Sequence, residues 1–174
     1  MRSAVIDSST LILLSKSGLL RPALAYPAAF SIPKEVFRGV VVKGKQQGKE
    51  DALVVEKEVE NGRIRVESVL GNKQVDALLK DFRMNRGEAE AVALALEKKA
   101  LFLGADDREA IKACRVYGLP FVTALSVAVK LSQDKKLSRE ELELAILKLE
   151  KFGFYSKEIV LEAKKECGLN GARV

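Results

Sequence analysis

Short apolar segments of strand length alternate with helical patterns along most of this 174-residue chain. The apolar segments are predicted strands, and in chain order they cover residues 3–7, 29–32, 64–69, 100–103 and 121–123. Between them, apolar residues recur at helical spacing, and further helices begin at the capping residues Ser138 and Ser156. Strands that alternate with helices in this way predict a parallel sheet with helices on both faces.

The pattern therefore predicts an α/β fold of three layers, α/β/α, with a mainly parallel central sheet. We expect one domain over residues 1–174, with residues 138–174 as a C-terminal helical extension, because no linker-like composition interrupts the chain. Apolar residues make up 48% of the chain, which is enough for a buried core without disulfides. The stretch 44–49, with its Gly and Gln residues, is the segment most typical of a loop.

Carboxylates follow two of the predicted strands at the point where each strand ends. Asp7 closes the first strand, and Asp106 and Asp107 follow the fourth. Because the carboxyl ends of parallel strands lie at one edge of a sheet, we expect these side chains to approach one another. Oxygen ligands of this kind are those that Mg²⁺ and Mn²⁺ prefer. The alternative is that each acid only caps the helix that follows it.

Two further groups have more than one interpretation. We expect Ser9 to cap the helix after Asp7, with a hydrogen bond to Asp7 or to a metal-bound water as the alternative. Glu88 and Glu90 begin the alanine-rich helix 87–98. At about 100° per residue they point about 160° apart, so a regular helix cannot aim both at one site. Glu88 suits a helix N-terminus, so we expect Glu90 as the ligand and Glu88 as an auxiliary residue.

Composition restricts the chemistry and the location of the protein. Histidine is absent, which excludes Ser-His and Cys-His nucleophile pairs and zinc sites that use imidazole. Cys114 and Cys167 lack CxxC spacing, so we expect core cysteines and a cytoplasmic location. No apolar run has the length of a transmembrane helix. The net charge of +6 fits a polyanionic partner or a solvated, lysine-rich surface.

Three motifs occur in an order that is similar to PIN domains. They are residues 5–9 (VIDSS), 87–95 (GEAEAVALA) and 103–108 (LGADDR). More narrowly, the chain resembles the archaeal and bacterial branch of PIN-like proteins called DUF3368, because residues 32–37 (IPKEVF) and 153–156 (GFYS) also look like that branch. The resemblance runs nearly from end to end.

This resemblance implies a metal-dependent ribonuclease or flap nuclease that uses Mg²⁺ or Mn²⁺. Carried onto this sequence, the catalytic and metal-binding acids are Asp7, Glu90 and Asp107, with Asp106 as a further metal ligand. The implied substrate is RNA, with DNA as the alternative. Many small members of the family are toxins, so an antitoxin protein is an implied partner, and we expect a homodimer or a higher homo-oligomer.

Basic residues are expected at the rim of an acidic site that a polyanion must approach. Arg86 and Arg108 are the nearest in sequence and are predicted to bind the nucleic acid, unless each pairs with a neighbouring acid. One position departs from the family pattern: Gly39 stands where the family usually has an acid, and Glu35 lies one helical turn earlier. This departure leaves open slow cleavage, a site with one metal, or binding alone.

Two other functions compete with a nuclease. A catalytically silent PIN-like module would bind RNA or a partner protein, and Gly39 favours it. A receiver-like phosphotransfer domain would also place an aspartate at a strand end. That domain usually needs an acidic pair near the end of the first strand, where residues 6–8 supply only Asp7. We therefore expect the nuclease.

Overall fold

The computed structural model describes residues 2–169, and its centre is one sheet of five parallel strands. The strands are β1 (Ser3–Ile6), β2 (Ala29–Pro33), β3 (Ile64–Glu67), β4 (Leu103–Gly104) and β5 (Phe121–Val122). They lie side by side in the order β3-β2-β1-β4-β5. The predicted parallel sheet is confirmed, and each predicted strand overlaps one of these five.

The segments between and after the strands form helices, as predicted. They are α1 (Ser8–Ser17), α2 (Leu20–Leu24), α3 (Lys34–Phe37), α4 (Lys43–Gln46), α5 (Glu50–Glu60), α6 (Asn72–Asp81), α7 (Arg86–Glu97), α8 (Arg108–Tyr117), α9 (Ala124–Gln133), α10 (Arg139–Phe152) and α11 (Lys157–Glu166). A π-helical segment, Arg38–Val42, joins α3 to α4. Ser138 and Ser156 cap α10 and α11 as predicted, because each side chain accepts a backbone N–H of the first turn.

Helices cover the sheet in two layers, which confirms the three-layer α/β/α prediction. In one layer α7 packs on β1, β2 and β4, with α6 and α8 beside it. The small side chains of α7 let it approach the sheet closely, and its alanines at positions 89, 91, 93 and 95 are completely buried. In the other layer α1 packs against α5, α9 and α10. Cys114 is buried in the core as predicted, whereas Cys167 is only partly buried.

Two predicted segments differ from the structure. The predicted loop 44–49 is wrong in its first half, because α4 continues to Gln46. Gly44 packs so closely on α5 that an added Cβ would lie 2.8 Å from the Cβ of Ala52, so tertiary packing stabilises a turn of helix that the local sequence disfavours. The fourth strand is shorter than predicted: the backbone N–H of Ala100 still bonds to Ala95 at the end of α7, although Leu101 and Phe102 already form hydrogen bonds with β1.

The order of the strands determines where a site can form. From β1 the chain continues to β2 and β3 on one side, and it then crosses to β4 and β5 on the other side of β1. The order reverses between β1 and β4, and in such sheets a crevice opens at the carboxyl ends of the two strands at this point. Asp7 directly follows β1, and Asp106 lies just beyond β4. The two carboxylates therefore flank the crevice.

The C-terminal segment is helical as predicted as far as Glu166, and α10 packs against α1 and α9. Residues 170–174 of the predicted extension lie outside the described residues. The division of the chain into one domain stays a prediction. None of the helices within residues 2–169 is long and apolar enough to cross a membrane.

Candidate functional site

Asp7 is the first residue after β1, and its side chain is completely buried. It caps α1, because its Oδ1 accepts the backbone N–H of Thr10 at 2.9 Å. The hydroxyl of Ser9 donates to the same carboxylate, 2.8 Å from Oδ1 and 3.0 Å from Oδ2. The expectation that Ser9 caps the helix is therefore wrong. Asp7 takes the capping position, and Ser9 lies in the first turn, where it holds Asp7.

Burial dominates the electrostatics of Asp7. Removal from water raises the pKa of its carboxyl from 3.8 to about 7, and the hydrogen bonds from Thr10 and Ser9 offset part of this effect. The negative charges of Asp106 and Glu88 raise this pKa further. Within residues 2–169, no lysine or arginine forms an ion pair with Asp7. In this part of the chain, ionised Asp7 thus lacks a compensating cation.

Asp106 is held beside Asp7 by donors from three different elements. The hydroxyl of Thr10 in α1 donates to its Oδ2 at 2.6 Å, and the backbone N–H of Ala124 in α9 donates to the same oxygen at 2.9 Å. The hydroxyl of Tyr155 donates to Oδ1. Burial raises the pKa of Asp106, while these hydrogen bonds lower it. Asp106 is therefore an oriented carboxylate.

Tyr155 belongs to the connection between α10 and α11, and it reaches the site from the C-terminal end of the chain. Besides donating to Asp106, its hydroxyl accepts the backbone N–H of Leu125 at 3.3 Å. Burial and the nearby Asp106 raise the pKa of the Tyr155 hydroxyl above its usual range. An added Cβ on Gly153 would lie 2.5 Å from the Tyr155 ring, so a glycine there lets the ring pack. The motif 153–156 contributed to the resemblance to DUF3368, but the sequence did not indicate that its tyrosine reaches this site.

Glu88 combines the capping role that the sequence suggested with a place near the other acids. Its carboxylate accepts the backbone N–H and the side-chain amide of Asn85, at 2.8 and 2.7 Å, in a capping box at the start of α7. Burial raises the pKa of Glu88, and the charge of Asp107 raises it further. Glu88 also raises the pKa of Asp7. Glu88 therefore lies near enough to Asp7 and to Asp107 for their charges to interact.

Glu90 lies on the other side of α7 and has a cationic partner. Its Oε1 accepts a hydrogen bond from Arg86 Nε at 3.0 Å across one helical turn. Glu90 is not among the groups whose charge raises the pKa of Asp7 or Glu88. The assignment of Glu90 as a ligand stays a prediction, and the geometry favours Glu88 for that role. Arg86, predicted to bind nucleic acid, forms the alternative contact with a neighbouring acid.

Asp107 caps α8, because its Oδ1 accepts the backbone N–H groups of Glu109 and Ala110 at 2.8 and 3.1 Å. Asp107 thus has the helix-capping role that was the alternative to metal binding. Its charge also raises the pKa of Glu88. The neighbouring Arg108 is exposed and forms no ion pair with any acid between residues 2 and 169. Arg108 therefore remains free for a polyanion.

The helix after β2 lacks an acid at the position of Gly39, which lies in the π-helical segment. An added Cβ there would meet no atom within 4 Å, so the position has room for a side chain. Glu35, one turn earlier, is paired with Arg38 at 2.6 Å. Its charge is therefore already compensated, and Glu35 does not replace the missing acid in this arrangement.

The oxygen atoms at this site are of the type that binds a divalent cation. They belong to buried or half-buried carboxylates with like charges, supported by hydroxyls, and a cation would compensate the desolvated Asp7. The positions of these side chains do not yet form a complete metal site. Within the described part of the chain, no three His, Cys, Asp or Glu residues lie close enough together to hold a metal ion. Metal binding at this site therefore requires some side-chain adjustment.

Comparison with known proteins gives one finding on the family. The family model of DUF3368, described as a PIN domain, matches residues 3–166. The resemblance predicted from the motifs is confirmed. No curated protein matches the chain.

Proposed function

Because this chain belongs to the PIN domain family, whose members are generally nucleases, we propose that it is a metal-dependent nuclease that hydrolyses RNA phosphodiesters. The observation that carries this proposal is Asp7, a completely buried carboxylate at the crevice between β1 and β4. A cation would remove the cost of its ionisation, and a purely structural cap at this position could remain half-solvated. The environment of Asp7 is therefore that of a carboxylate that binds a metal ion.

We assign the metal-binding role to Asp7, Asp106 and Glu88, with Mg²⁺ or Mn²⁺ as the ion. Such an ion supplies an activated water and neutralises the charge that develops on the phosphate. The residues of the chain prepare this chemistry: Ser9 orients Asp7, and Tyr155 orients Asp106. The surrounding core excludes water from Asp7, which strengthens its interaction with any cation.

Asp107 and Glu90, which the family resemblance implied as ligands, have other contacts in this structure. Asp107 remains close enough to affect Glu88 and can join the site if it leaves its cap. Glu90 would first have to leave Arg86. We therefore rank Glu88 and Asp106 above them as ligands.

RNA is the proposed substrate, and DNA is the outcome to be compared with it. The net charge of +6 favours a polyanion in general, and the exposed Arg108 beside the site provides a cation for a phosphate. Neither feature distinguishes the two nucleic acids. An antitoxin partner stays a prediction that the family resemblance implies.

A catalytically silent PIN-like module is the second candidate, and two observations favour it. The chain has Gly39 where an acid is usual, and no three acids within residues 2–169 converge on one point. Such a module would bind RNA without cutting it. In that case Mn²⁺ would not bind at Asp7, and the RNA would remain uncleaved in its presence.

The decisive assay compares the wild type with Asp7→Asn and with Asp134→Asn. Asp134 is a matched control because it is an aspartate on the surface that pairs with Lys130, one helical turn away. Single-stranded RNA and the corresponding DNA are incubated with each protein in Mn²⁺ or in EDTA. We expect cleavage of RNA in Mn²⁺, lost on the order of a hundredfold or more in Asp7→Asn and retained in the control.

Equal residual cleavage by all three proteins would contradict the nuclease proposal, because it would come from a contaminant. RNA binding without cleavage by the wild type would support the silent module. Cleavage of DNA in preference to RNA would keep the nuclease and correct its substrate.

A further inference from the structure

Phe154 is the most exposed large apolar residue in the described part of the chain. Its relative exposure is 107%, so the described residues leave its ring uncovered. It lies in the connection between α10 and α11, directly before Tyr155. Gly153 and Ser156 on either side have extended backbone conformations, and successive side chains of an extended segment point in opposite directions. Tyr155 therefore points inward to Asp106, and Phe154 points outward at the surface beside the site.

A second exposed aromatic residue, Phe152, stands two positions before Phe154 and has lysines at its ring. Phe152 is 42% exposed. The ammonium of Lys16 in α1 lies 4.7 Å from the centre of its ring, and that of Lys151 lies 5.3 Å from the same point. Neither lysine forms an ion pair with an acid within residues 2–169. Two cations thus meet at one ring without a compensating anion in this part of the chain.

Residues 151–157 (KFGFYSK) contain three aromatic residues, two lysines and no acid. Aromatic and basic residues in alternation are typical of surfaces that bind single-stranded nucleic acids, because the rings stack on bases and the cations bind phosphates. The segment also touches the proposed site, since the hydroxyl of Tyr155 donates to Asp106. Phe154 lies one peptide unit from Tyr155, about 3.8 Å between Cα atoms. A strand with a phosphate at Asp106 can therefore place a nearby base on Phe154.

We infer that Phe154 is a stacking platform for an unpaired base of the nucleic acid at this site, and that Lys16 and Lys151 bind phosphates of the same strand. This inference rests on the proposed function, because it concerns the same substrate, and it restricts that substrate to single strands. The bases of a duplex stack on one another and present only their edges in the grooves, so they cannot lie on the ring. Stacking tolerates any base, so little sequence preference is expected.

The chain contains no tryptophan, which allows a direct test of stacking. Phe154→Trp keeps a flat aromatic ring and introduces the only indole of the protein. A base that stacks on this indole quenches its fluorescence. Leu70→Trp is the matched control, because Leu70 is 90% exposed and its backbone N–H bonds to Glu97, at the end of α7 away from Glu88. We expect single-stranded RNA to quench the indole at position 154 and to leave the one at position 70 nearly unchanged.

Binding is measured separately by fluorescence anisotropy in EDTA, with the full chain and without cleavage. The probes are a labelled single-stranded RNA of mixed sequence, the corresponding DNA and the RNA paired with its complement. Phe154→Ala should raise the dissociation constant for both single strands about tenfold or more, because one base loses its stacking partner. Phe154→Trp should retain the affinity of the wild type, and so should Leu70→Ala. The duplex should bind more weakly and respond little to Phe154→Ala.

The two lysines are tested by the dependence of binding on salt. Lys16→Gln or Lys151→Gln should each reduce the slope of log Kd against log salt concentration by about 0.7, because one phosphate contact is lost from a single strand. Lys73→Gln is the control, since Lys73 is an exposed lysine three residues from Leu70. Circular dichroism checks that each variant is folded.

Three results would overturn this inference: a wild type that does not bind single strands, a Phe154→Ala variant that binds them as the wild type does, or equal quenching of the two indoles. Its failure can be distinguished from failure of the nuclease proposal. Binding that depends on Phe154, without cleavage in Mn²⁺, would contradict the nuclease alone. Cleavage in Mn²⁺ with binding that does not depend on Phe154 would contradict the stacking platform alone.

Discussion

The hydroxyl of Thr10 donates to the carboxylate of Asp106 across 2.6 Å, although the two residues are 96 positions apart in the chain. Thr10 lies in the first turn of α1, directly after Asp7 and Ser9, and its backbone N–H bonds to Asp7. One residue therefore holds both strand-end carboxylates, by its amide on one side of the crevice and by its hydroxyl on the other. This link joins the carboxylates of Asp7 and Asp106, which the neighbouring ends of β1 and β4 bring together, into one hydrogen-bonded site.

Replacement of Thr10 by Val should reveal how much this link contributes. Thr10→Val keeps the shape of the side chain and the bond from its amide to Asp7, but it removes one donor from the partly buried carboxylate of Asp106. We expect a loss of about 1.5 to 3 kcal/mol in the free energy of unfolding, since the acceptor is a charged group. Urea unfolding measures it. Thr10→Ser keeps the hydroxyl and should lose clearly less, and equal losses for the two variants would mean that packing alone is responsible.

The raised pKa of Asp7 predicts a specific dependence of stability on pH. Its pKa lies near 3.8 in the unfolded chain and at about 7 in the folded protein. Between these values the folded state keeps a proton that the unfolded chain releases, so the stabilising contribution is complete below pH 3.8 and is lost as the pH rises to about 7. A shift of this size corresponds to on the order of 4 kcal/mol.

The measurement is urea unfolding of the metal-free protein at pH 5 and pH 8, with Asp7→Asn as the comparison. The wild type should lose more stability than the variant between these two pH values, because asparagine caps α1 without a charge. Mn²⁺ at pH 8 should restore stability to the wild type and not to Asp7→Asn. Parallel pH profiles for the two proteins would show that Asp7 titrates normally.

Tyr155 should matter more than an ordinary tyrosine of this protein. Tyr155→Phe removes the donor to Asp106 Oδ1 and the acceptor for the N–H of Leu125. We expect a loss of about 1 to 3 kcal/mol in stability and a weaker affinity for Mn²⁺, because Asp106 loses orientation. Tyr117→Phe is the control, since the Tyr117 ring is 37% exposed. If Tyr117→Phe changes both quantities as much as Tyr155→Phe, the contact with Asp106 has no special role.

Glu88 and Glu90 can be separated by their affinity for Mn²⁺. Glu88→Gln keeps the capping box, because glutamine is also favoured at this position, so it removes charge while the start of α7 is retained. We expect Glu88→Gln to weaken Mn²⁺ binding by about tenfold or more, and Glu90→Gln to leave it nearly unchanged. Electron paramagnetic resonance of free Mn²⁺ measures both. The reverse result would support the ligand set that the family resemblance implied.

Most of the fold follows from local sequence signals. The alternation of strands and helices, the serine caps of α10 and α11 and the acids at the ends of β1 and β4 are all readable from neighbouring residues. The helical turn at Gly44 cannot be predicted from neighbouring residues, because it depends on a close contact with Ala52 on another helix. Ala100 is a similar case, since its backbone N–H bonds to Ala95 at the end of α7 and pairing with β1 begins only at Leu101.

The site divides in the same way. The sequence by itself determined that Asp7 and Asp106 lie at strand ends, and it determined that Glu88 and Glu90 point in different directions, because both follow from the periods of strand and helix. Only the tertiary structure decided which face of α7 turns toward Asp7. That face carries Glu88, whose charge raises the pKa of Asp7. It also brought Tyr155 to Asp106 from 49 residues away. The periodicity of a strand or helix determines the directions in which its own side chains point. The packing of these elements against each other determines which side chains come into contact.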